Sequence, residues 1–448
     1  MKPNILYMHT HDSGRYWSPY GHAVPAPNLM RLADDSTLFR HCYSAAPTCS
    51  PSRAALLTGM SPHACGMTGL AHRGFRLNDY SRHLAPFLGR QGYRTALCGI
   101  QHEAPDAGMI GYHELLGGIH DDMGRTGDSL EEWDRANTGC ACSFLRECAE
   151  SDTGEPFFLS MGWFNTHRKY PKAGSGIHPD RIAVPPQLYD CAETRNDMAD
   201  YHESVRVVDE CVGRILDTLD ETGLAERTVV VMTTDHGIAF PHMKCTLYDT
   251  GIGVGLILRC PDNPMAGRAT DALVSHLDVF PTLCALAGID PPEWLEGVSL
   301  LPVLRDGTAA VRDEVFAEVT YHAAYDPMRC VRTDRYKFIR RYGDRDRPVV
   351  CNVDGSPSKS FLLENGGLQA RRDREMLFDL WLDPLERENL AGLPECRDIR
   401  DGLAARLEDW MRRTADPLLP DGARVPKPAG ARVNRQDCAD PALPEYED

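Results

Sequence analysis

Long hydrophobic runs are missing from this 448-residue sequence, and its basic residues are outnumbered by acidic ones. No apolar stretch approaches the roughly 20 residues that a membrane-spanning helix needs, so a membrane protein is not expected. The formal net charge of -17 argues against nucleic acid or an anionic membrane as a partner. A site for an anion must therefore be cationic locally, through a metal ion and a few basic side chains.

The beginning of the sequence also lacks the features of a secretory signal. The apolar residues 5–8 pass directly into the polar residues 9–12, without an extended apolar core or a small-residue cleavage site. The sixteen cysteines are therefore expected to be reduced thiols of a cytoplasmic protein. Cys140, Cys142 and Cys148 lie close together, but a fourth ligand with zinc spacing is missing, which favours structural thiols.

Apolar, β-rich runs alternate with amphipathic helical stretches over the first 315 residues. Continuous apolar strands separated by helices predict an α/β sandwich with a mostly parallel sheet that is covered on both faces. In the longest predicted helix, apolar residues from Val205 to Leu219 recur at spacings of three and four, which is typical of one buried stripe. The predicted strands are residues 5–8, 94–98, 157–164, 229–232 and 255–259, and the predicted helices are residues 27–34, 51–57 and 197–219.

The character of the sequence changes after residue 315. Short strands follow one another quickly there, and a helix is predicted over residues 396–414, which together indicate a smaller α+β subdomain with a short antiparallel sheet. The last 33 residues contain six prolines and little periodicity, so an irregular tail is expected. We therefore predict a catalytic domain over residues 1–315, a subdomain over 316–415 and a tail over 416–448.

The segment Cys49-Ser50-Pro51-Ser52-Arg53 combines a thiol with the start of a helix. Ser50 suits the N-cap and Pro51 the first helical position, so Cys49 is expected to precede the helix. Free N–H groups and the helix dipole favour an anion at that point. Arg53, one turn further on, adds a fixed positive charge. The segment therefore predicts a reactive side chain in an anion-binding site.

Two polar clusters follow predicted strands and complete this hypothesis. His11 and Asp12 come after the first strand, and Asp235 and His236 come after the strand at residues 229–232. The carboxyl ends of parallel strands meet at one edge of a sheet, where ligands gather. Asp12 and Asp235 are therefore predicted to hold a divalent cation against residue 49.

The string C-x-P-S-R, followed by an apolar helix and Thr58-Gly59, resembles the signature of the type I sulfatases, which belong to the alkaline phosphatase-like superfamily. The resemblance implies the alkaline phosphatase-like fold. It also implies that a separate maturation enzyme oxidises Cys49 to formylglycine. One hydroxyl of the hydrated aldehyde then attacks the sulfur of a sulfate ester, and the other expels the sulfate.

The resemblance also implies a metal site completed by residue 49, and the matching positions are His11, Asp12, Asp235 and His236. The family usually has a pair of aspartates where this sequence has His11 and Asp12. Calcium prefers oxygen ligands, whereas imidazole suits transition metals. Calcium is therefore expected, manganese or another divalent ion stays open, and His11 is either a ligand or a turn residue.

Residues 99–102 resemble the family motif G-K-x-H, in which the lysine holds the sulfate and the histidine acts on the formylglycine hydroxyl during sulfate release. His102 matches, but the lysine position is Ile100, which cannot hydrogen-bond an oxyanion. Either another donor substitutes or sulfatase activity is impaired. The alternative donors are His9, His11 and Gln101.

Two further positions match the family in order along the chain. His167 follows the predicted strand at residues 157–164, where the family places a histidine near the leaving-group oxygen. Lys244 matches the lysine that binds sulfate and helps the leaving group depart. In this interpretation Arg53, Lys244 and the metal stabilise charge, His167 or Lys244 protonates the leaving group, and His102 is the base. Residues 66–70, 237–248 and 325–329 resemble the heparan N-sulfatase (sulfamidase) branch.

The sequence thus predicts hydrolysis of a sulfate ester or sulfamate, with a small sulfated anion as the substrate and a formylglycine-generating enzyme as a partner. A phosphodiester or phosphonate monoester hydrolase of the same superfamily is the first alternative, because sulfate and phosphate are nearly isosteric. A non-catalytic protein that binds sulfoglycans or other anions is the second. Whether identical copies assemble into a homo-oligomer stays open.

Overall fold

The computed structural model describes residues 2–118, 129–151, 154–367, 369–419, 422–440 and 443–447. Within these ranges the chain forms an eight-stranded and a four-stranded sheet. None of the helices in these ranges combines the length and the apolarity that a membrane crossing requires. All sixteen cysteines lie in the described part of the chain, and all are free thiols.

The larger sheet contains every strand predicted in the first 315 residues. In spatial order its strands are β4 (Glu114–Leu116), β3 (Arg94–Gly99), β5 (Phe157–Gly162), β1 (Asn4–Thr10), β6 (Thr228–Thr234), β7 (Gly253–Arg259), β2 (Thr37–Tyr43) and β8 (Arg268–Ser275). β1 lies in the centre and pairs in parallel with β5 and β6. β7 runs antiparallel to β6 and β2, while the other described pairs are parallel. The prediction of a mostly parallel sheet is confirmed.

Helices cover both faces of this sheet. In chain order the helices of the protein are α1 (Pro27–Asp34), α2 (Cys49–Thr58), α3 (Pro62–Cys65), α4 (Leu84–Arg90), α5 (Leu130–Glu150), α6 (Ala192–Glu221), α7 (Asp249–Ile252), α8 (Val279–Ala287), α9 (Leu301–Arg305), α10 (Pro357–Glu364) and α11 (Arg397–Arg413). Leu6 and Met8 of β1 pack in one core cluster with α5 and α6, whereas Ile5 and Tyr7 pack in another with α2, α4 and α8. Because both faces are buried, β1 reads as a continuous apolar run.

The long helix α6 carries the predicted stripe. Val205, Val208, Val212, Ile215 and Leu219 are all buried in the same core cluster under the larger sheet. The helix is longer at both ends than predicted, and polar contacts such as the ion pair of Asp197 with Arg168 hold its first turns. After the helix, a glycine in the left-handed region (φ 68°) starts the return to β6.

The second sheet is antiparallel and lies in the C-terminal part of the chain, as predicted. Its spatial order is β12 (Glu375–Asp379), β11 (Tyr336–Arg341), β10 (Tyr325–Thr333) and β9 (Glu314–Tyr321). Leu403 and Leu407 of α11 pack in one cluster with Val331 of β10 and Phe338 of β11. The described residues after α11 form only isolated bridges, such as Ala324 with Asn434. The domain boundaries themselves stay a prediction.

A buried ionic network joins the two parts of the protein. Arg329 of β10 is completely buried, and its Nε lies 3.0 Å from Glu318 Oε2 and 2.5 Å from Asp416 Oδ2. The same glutamate contacts Nδ1 of His63, in the helix after α2, at 2.7 Å. Burial opposes a charge on His63, but the carboxylate of Glu318 outweighs it and raises the pKa of the imidazole. The network thus couples the helix that follows residue 49 to the smaller sheet.

Replacing Arg329 by methionine is expected to destabilise the protein by about 3–5 kcal/mol, because it leaves buried carboxylates without their counter-charge. The measurement is the shift of the urea unfolding midpoint. Arg31→Met is the matched control, since its ion pair with Asp217 is exposed (42% and 58%) and such pairs contribute about 0–1 kcal/mol. Equal midpoint shifts for the two variants would contradict a structural role of the network.

Candidate active site

The site lies where two neighbouring strands end. β1 and β6 pair in register up to Thr10 and Thr234. Asp12 therefore lies beside Asp235, although 223 positions separate them in the sequence. The backbone N–H of Asp12 donates to Asp235 Oδ1 at 2.8 Å, and the N–H of His236 donates to the same oxygen at 2.9 Å. The fold thus brings the two polar clusters together, as predicted.

Asp12 is held in an unusual backbone conformation. Its φ of 38° lies in the left-handed region, which non-glycine residues rarely adopt. The hydrogen bond to Asp235 fixes this conformation, and a neighbouring one from the N–H of Ser13 to Thr234 Oγ1 (3.1 Å) supports it. Local strain of this kind is stored at functional sites. Here it directs the Asp12 carboxylate toward the ends of the strands.

Four side chains form a group that suits a metal ion. Ligand atoms of His11, Asp12, Cys49 and Asp235 all lie within 4.8 Å of one another. His236 belongs to the same place, with its Nε2 3.2 Å from Asp12 Oδ1. His11 Nε2 is buried and forms no hydrogen bond among the described residues. A buried polar atom without a partner is costly, and a cation would provide what it lacks.

Cys49 faces this group from the start of α2. Its Sγ lies 3.4 Å from His236 Nε2, and the residue is only 3% exposed. Burial, together with the nearby carboxylates of Asp235 and Asp12, raises the pKa of the thiol well above its usual range. An unmodified Cys49 is therefore a neutral thiol, which is a weak nucleophile.

The helix itself begins earlier than predicted. α2 starts at Cys49, with Thr48 as the N-cap residue, rather than after Cys49 with Ser50 as the cap. The hydroxyl of Ser50 instead accepts a hydrogen bond from the N–H of Ala71 at 3.0 Å, and that of Ser52 donates to Asp235 O at 2.5 Å. Both hydroxyls thus tie α2 to its surroundings, which a capping rule based on local sequence cannot anticipate.

Arg53 is fixed within the site by the ends of the strands. Its NH2 group donates to Asp235 Oδ2 at 3.0 Å and to Thr10 O at 2.8 Å, and NH1 contacts Nδ1 of His9. His9 has room for this contact because Gly162 lies beside it, where a Cβ would stand 2.4 Å from the His9 ring. The adjacent His236 ring and the Arg53 guanidinium overcome the effect of burial and hold the pKa of Asp235 well below its usual range.

Lys244 and His167 approach the site from the other side. Lys244 Nζ donates to Asp12 Oδ2 at 3.0 Å. Burial disfavours its charge, but the carboxylates of Asp12 and Asp354 outweigh burial and raise the pKa well above its usual range. His167 Nε2 lies 3.9 Å from Asp12 Oδ2, while its Nδ1 faces Arg168 O at 2.5 Å. Burial lowers the pKa of His167, so the imidazole is neutral at pH 7.

His102 lies on the opposite flank, after β3. A ligand nitrogen of this residue is within 4.8 Å of His11 and Cys49 atoms, and the His11 and His102 rings meet edge to face at 4.7 Å. Its Nε2 is buried and forms no hydrogen bond with a described residue. Burial and the charge of Arg53 lower its pKa well below the usual value. His102 is thus a neutral imidazole with a free nitrogen beside residue 49.

The structure shows what surrounds the position at which the family has a lysine. Ile100 is completely buried at the end of β3. Gln101 donates to Ala104 O and accepts from the N–H of Glu103, both at 2.8 Å, so its amide is used within its own loop. Of the three alternative donors, His9 is bound to Arg53, and His11 is the one whose ring lies in the metal-suited group.

Two polar residues of the site were not predicted from the sequence. Asp354 Oδ2 lies 2.9 Å from Lys244 Nζ, and His322 is a buried histidine whose pKa is lowered by burial and by the charge of Lys244. Both belong to the part of the chain that carries the smaller sheet. No local motif marks them, and only their place in the fold brings them to Lys244.

The fold and the site together define a hydrolase of the sulfatase type. Residues 3–289 match the sequence model of the Sulfatase family, and residues 237–360 match the model described as N-sulphoglucosamine sulphohydrolase, C-terminal. Because the first match covers more than half of the chain, this protein belongs to the sulfatase family. The second match supports the predicted sulfamidase-like branch.

Relatives of known name agree with this assignment. The chain is 28% identical to human N-sulphoglucosamine sulphohydrolase over 477 residues, which covers 94% of this chain and 92% of that protein. It is 27% identical to an ulvan-active sulfatase of Formosa agariphila, over 95% of this chain and 78% of that protein. A solved structure in complex with its substrate D-glucosamine-2-N,6-O-disulfate has the same fold, with a TM-score of 0.73, 21% identity, and coverage of 94% of this chain and 99% of that chain.

Proposed function

We propose that this protein hydrolyses a sulfate ester or sulfamate of a sugar, through an oxidised Cys49 and a divalent metal ion. The observation that carries the proposal is the group of His11, Asp12, Cys49 and Asp235, whose ligand atoms lie within 4.8 Å of one another. Lys244 supports it, since this cation is held beside the group by Asp12.

The charges of the site support a bound divalent cation. The cations Arg53 and Lys244 face the three carboxylates of Asp12, Asp235 and Asp354. The side chains alone therefore give a net negative site when the histidines are neutral, and such a site repels a sulfate. A divalent ion reverses the sign. When bound, it would act as a Lewis acid on an oxygen of residue 49 or of the substrate.

The identity of the ion follows from the donor atoms. Carboxylate oxygens of Asp12 and Asp235 suit calcium, whereas imidazoles at His11 and His236 suit transition metals better. We propose calcium as the ion and retain manganese as the alternative. Metal analysis of the purified protein distinguishes the two.

Oxidation of Cys49 would replace a thiol that is a poor nucleophile. The thiol is buried and its pKa is raised, so little thiolate forms at neutral pH. Formylglycine at this position, when hydrated, would supply a hydroxyl in place of the thiol. The nearby His102 has a free, neutral nitrogen and is suited to accept a proton from such a group.

Residues on the other flank suit the leaving group. Lys244 is held charged by two carboxylates and can stabilise a sulfuryl oxygen. His167 uses Nδ1 on the backbone, which leaves Nε2 on the side of Asp12 and Lys244. A neutral His167 that donates Nδ1–H to Arg168 O has no proton on Nε2, so of the two candidates we assign Lys244 as the proton donor to the departing oxygen or nitrogen. Arg53 acts through Asp235, which it orients and keeps ionised.

The names of the relatives support a sulfated amino sugar as the first substrate to test. The human relative is an N-sulphoglucosamine sulphohydrolase, and this chain covers 92% of its length. The C-terminal family model that matches residues 237–360 has the same description. Glucosamine N-sulfate is therefore the proposed substrate, with O-sulfated sugars as the alternative.

The test combines a chemical and an enzymatic measurement. The protein is produced together with an active formylglycine-generating enzyme, and the peptide that contains residue 49 is analysed by mass spectrometry. We expect an aldehyde at residue 49 and release of sulfate from glucosamine N-sulfate or 4-nitrophenyl sulfate. An unmodified thiol under these conditions would contradict the proposed oxidation. Faster turnover of an aryl phosphonate than of any sulfate would favour the phosphonate hydrolase instead.

A further inference from the structure

Asp354 is an acidic residue beside a cation that we assign to sulfate binding. It lies in the loop between the short helical turn Val350–Asn352 and α10. Its Oδ2 is 2.9 Å from Lys244 Nζ and is shielded from solvent. The side chain as a whole is 21% exposed, so part of it faces solvent. Its contact among the described residues is the ion pair with Lys244.

The surroundings of Asp354 mark it as part of the substrate side of the site. Lys244 bridges Asp354 to Asp12 of the metal-suited group. His167 lies on the same side, with its Nε2 3.9 Å from Asp12 Oδ2, and the charge of Asp354 acts on this ring and on that of His322. His322 is buried, and its Nδ1 forms no hydrogen bond with a described residue. A carboxylate that pairs with Lys244 and an imidazole nitrogen without a hydrogen bond among the described residues thus lie next to the proposed sulfate position.

We propose that Asp354 determines specificity by accepting a hydrogen bond from an O–H or N–H group of the substrate next to the sulfated atom. This inference rests on the proposed function. Asp354 selects sulfated sugars or amino sugars with a neighbouring hydroxyl or amino donor. It excludes sulfated molecules with a carboxylate at that position, because two like charges at close range repel. The substrate class is therefore a sugar sulfate with a hydroxyl or amino group next to the sulfated atom, rather than a compound with a carboxylate there.

A purely structural role would have different consequences. If Asp354 served only to orient Lys244, its loss would impair every sulfated substrate to the same degree, since all of them need the sulfate-binding lysine. A specificity residue affects only substrates that carry the donor. The comparison of two substrates, one with the donor and one without, therefore separates the two roles.

The experiment uses Asp354→Asn, which keeps the size of the side chain and removes its charge. For glucosamine N-sulfate we expect kcat/KM to fall about 10- to 100-fold, the effect of losing a hydrogen bond to a charged group. For 4-nitrophenyl sulfate, which has no neighbouring donor, we expect a clearly smaller loss, because Lys244 keeps its ion pair with Asp12. 2-Carboxyphenyl sulfate, whose carboxylate lies next to the sulfated oxygen, should be used better by the variant than by the wild type. Asp290→Asn, at an exposed position after α8, is the charge-matched control and should change none of these values.

Three outcomes would overturn the assignment. These are an equal loss for both substrates, no loss for either, and a control that behaves like Asp354→Asn. Calorimetric binding of glucosamine N-sulfate to Cys49→Ala, with and without Asp354→Asn, provides a measurement that needs no turnover. Absence of turnover with a 10-fold or greater loss of binding would reject the proposed function and keep the assignment of Asp354, whereas unchanged binding would reject the assignment.

Discussion

Replacing Cys49 by alanine is expected to lower the turnover of every sulfated substrate by at least about 10⁴-fold, as removal of a nucleophile does in other hydrolases. The side chain is small and only 3% exposed, and alanine is a good helix former at the first position of α2. The fold should therefore persist, with a melting temperature within a few degrees of the wild type. Sulfate release and circular dichroism of the same preparation provide the two measurements.

Cys65→Ala is the matched control for this experiment. Cys65 is likewise buried, at 4% exposure, and lies in α3, the helix that follows α2. It contacts the backbone of Pro62 rather than the metal-suited group. Its removal should leave turnover within a few-fold of the wild type. More than about a tenth of wild-type activity in Cys49→Ala would refute the assignment of residue 49 as the nucleophile.

Replacing Asp235 by asparagine is expected to abolish binding of the divalent ion and to lower turnover at least about 100-fold. Asparagine can still accept the hydrogen bonds from the N–H groups of Asp12 and His236, but it lacks the charge. Even partners one layer removed from a metal typically contribute 10- to 100-fold to its affinity, so a ligand should contribute more. The measurements are metal content and the melting temperature with and without a chelator.

A chelator should change the melting temperature in a defined direction. An ion that binds the folded state stabilises it by about 4 kcal/mol when it is present at 1,000 times its Kd. A chelator should therefore lower the melting temperature of the wild type and leave that of Asp235→Asn unchanged. Asp278→Asn is the control, because Asp278 is equally buried but pairs with Arg312 away from the group. A variant at 235 that still responds to the chelator would disprove the metal site.

Much of the fold follows from the sequence because buried parallel strands leave a strong signal. β1, β5 and β6 are apolar on both faces, and β1 and β6 end in polar residues at one edge of the sheet. The sequence patterns of β2 and β8 are weaker, and neither strand was predicted. Arg40 interrupts β2 with an exposed charge, and the first residues of β8 are exposed. Mixed patterns of this kind are typical of strands away from the centre of a sheet, and they resemble loops.

The sequence predicts only some of the residues of the site, for a similar reason. Cys49, Asp12 and Asp235 could be predicted because each lies at the end of an apolar strand or at the start of a helix. Both of these signals are local in the sequence. Asp354 and His322 reach Lys244 only because the smaller sheet packs against the larger one. Their sequence neighbours carry no periodic pattern that points to this contact. Such residues are found from tertiary structure, since the contact joins elements that are far apart in the chain.

The central position of β1 affects the timing of biosynthesis. Residue 49 lies against the end of a strand that pairs with β6, so the site closes only after residues 228–234 have left the ribosome. In the finished protein the thiol is almost inaccessible, at 3% exposure. If Cys49 is oxidised as we propose, the oxidising enzyme has to act on the nascent or unfolded chain. Protein purified without this treatment should then resist later activation unless it is first unfolded.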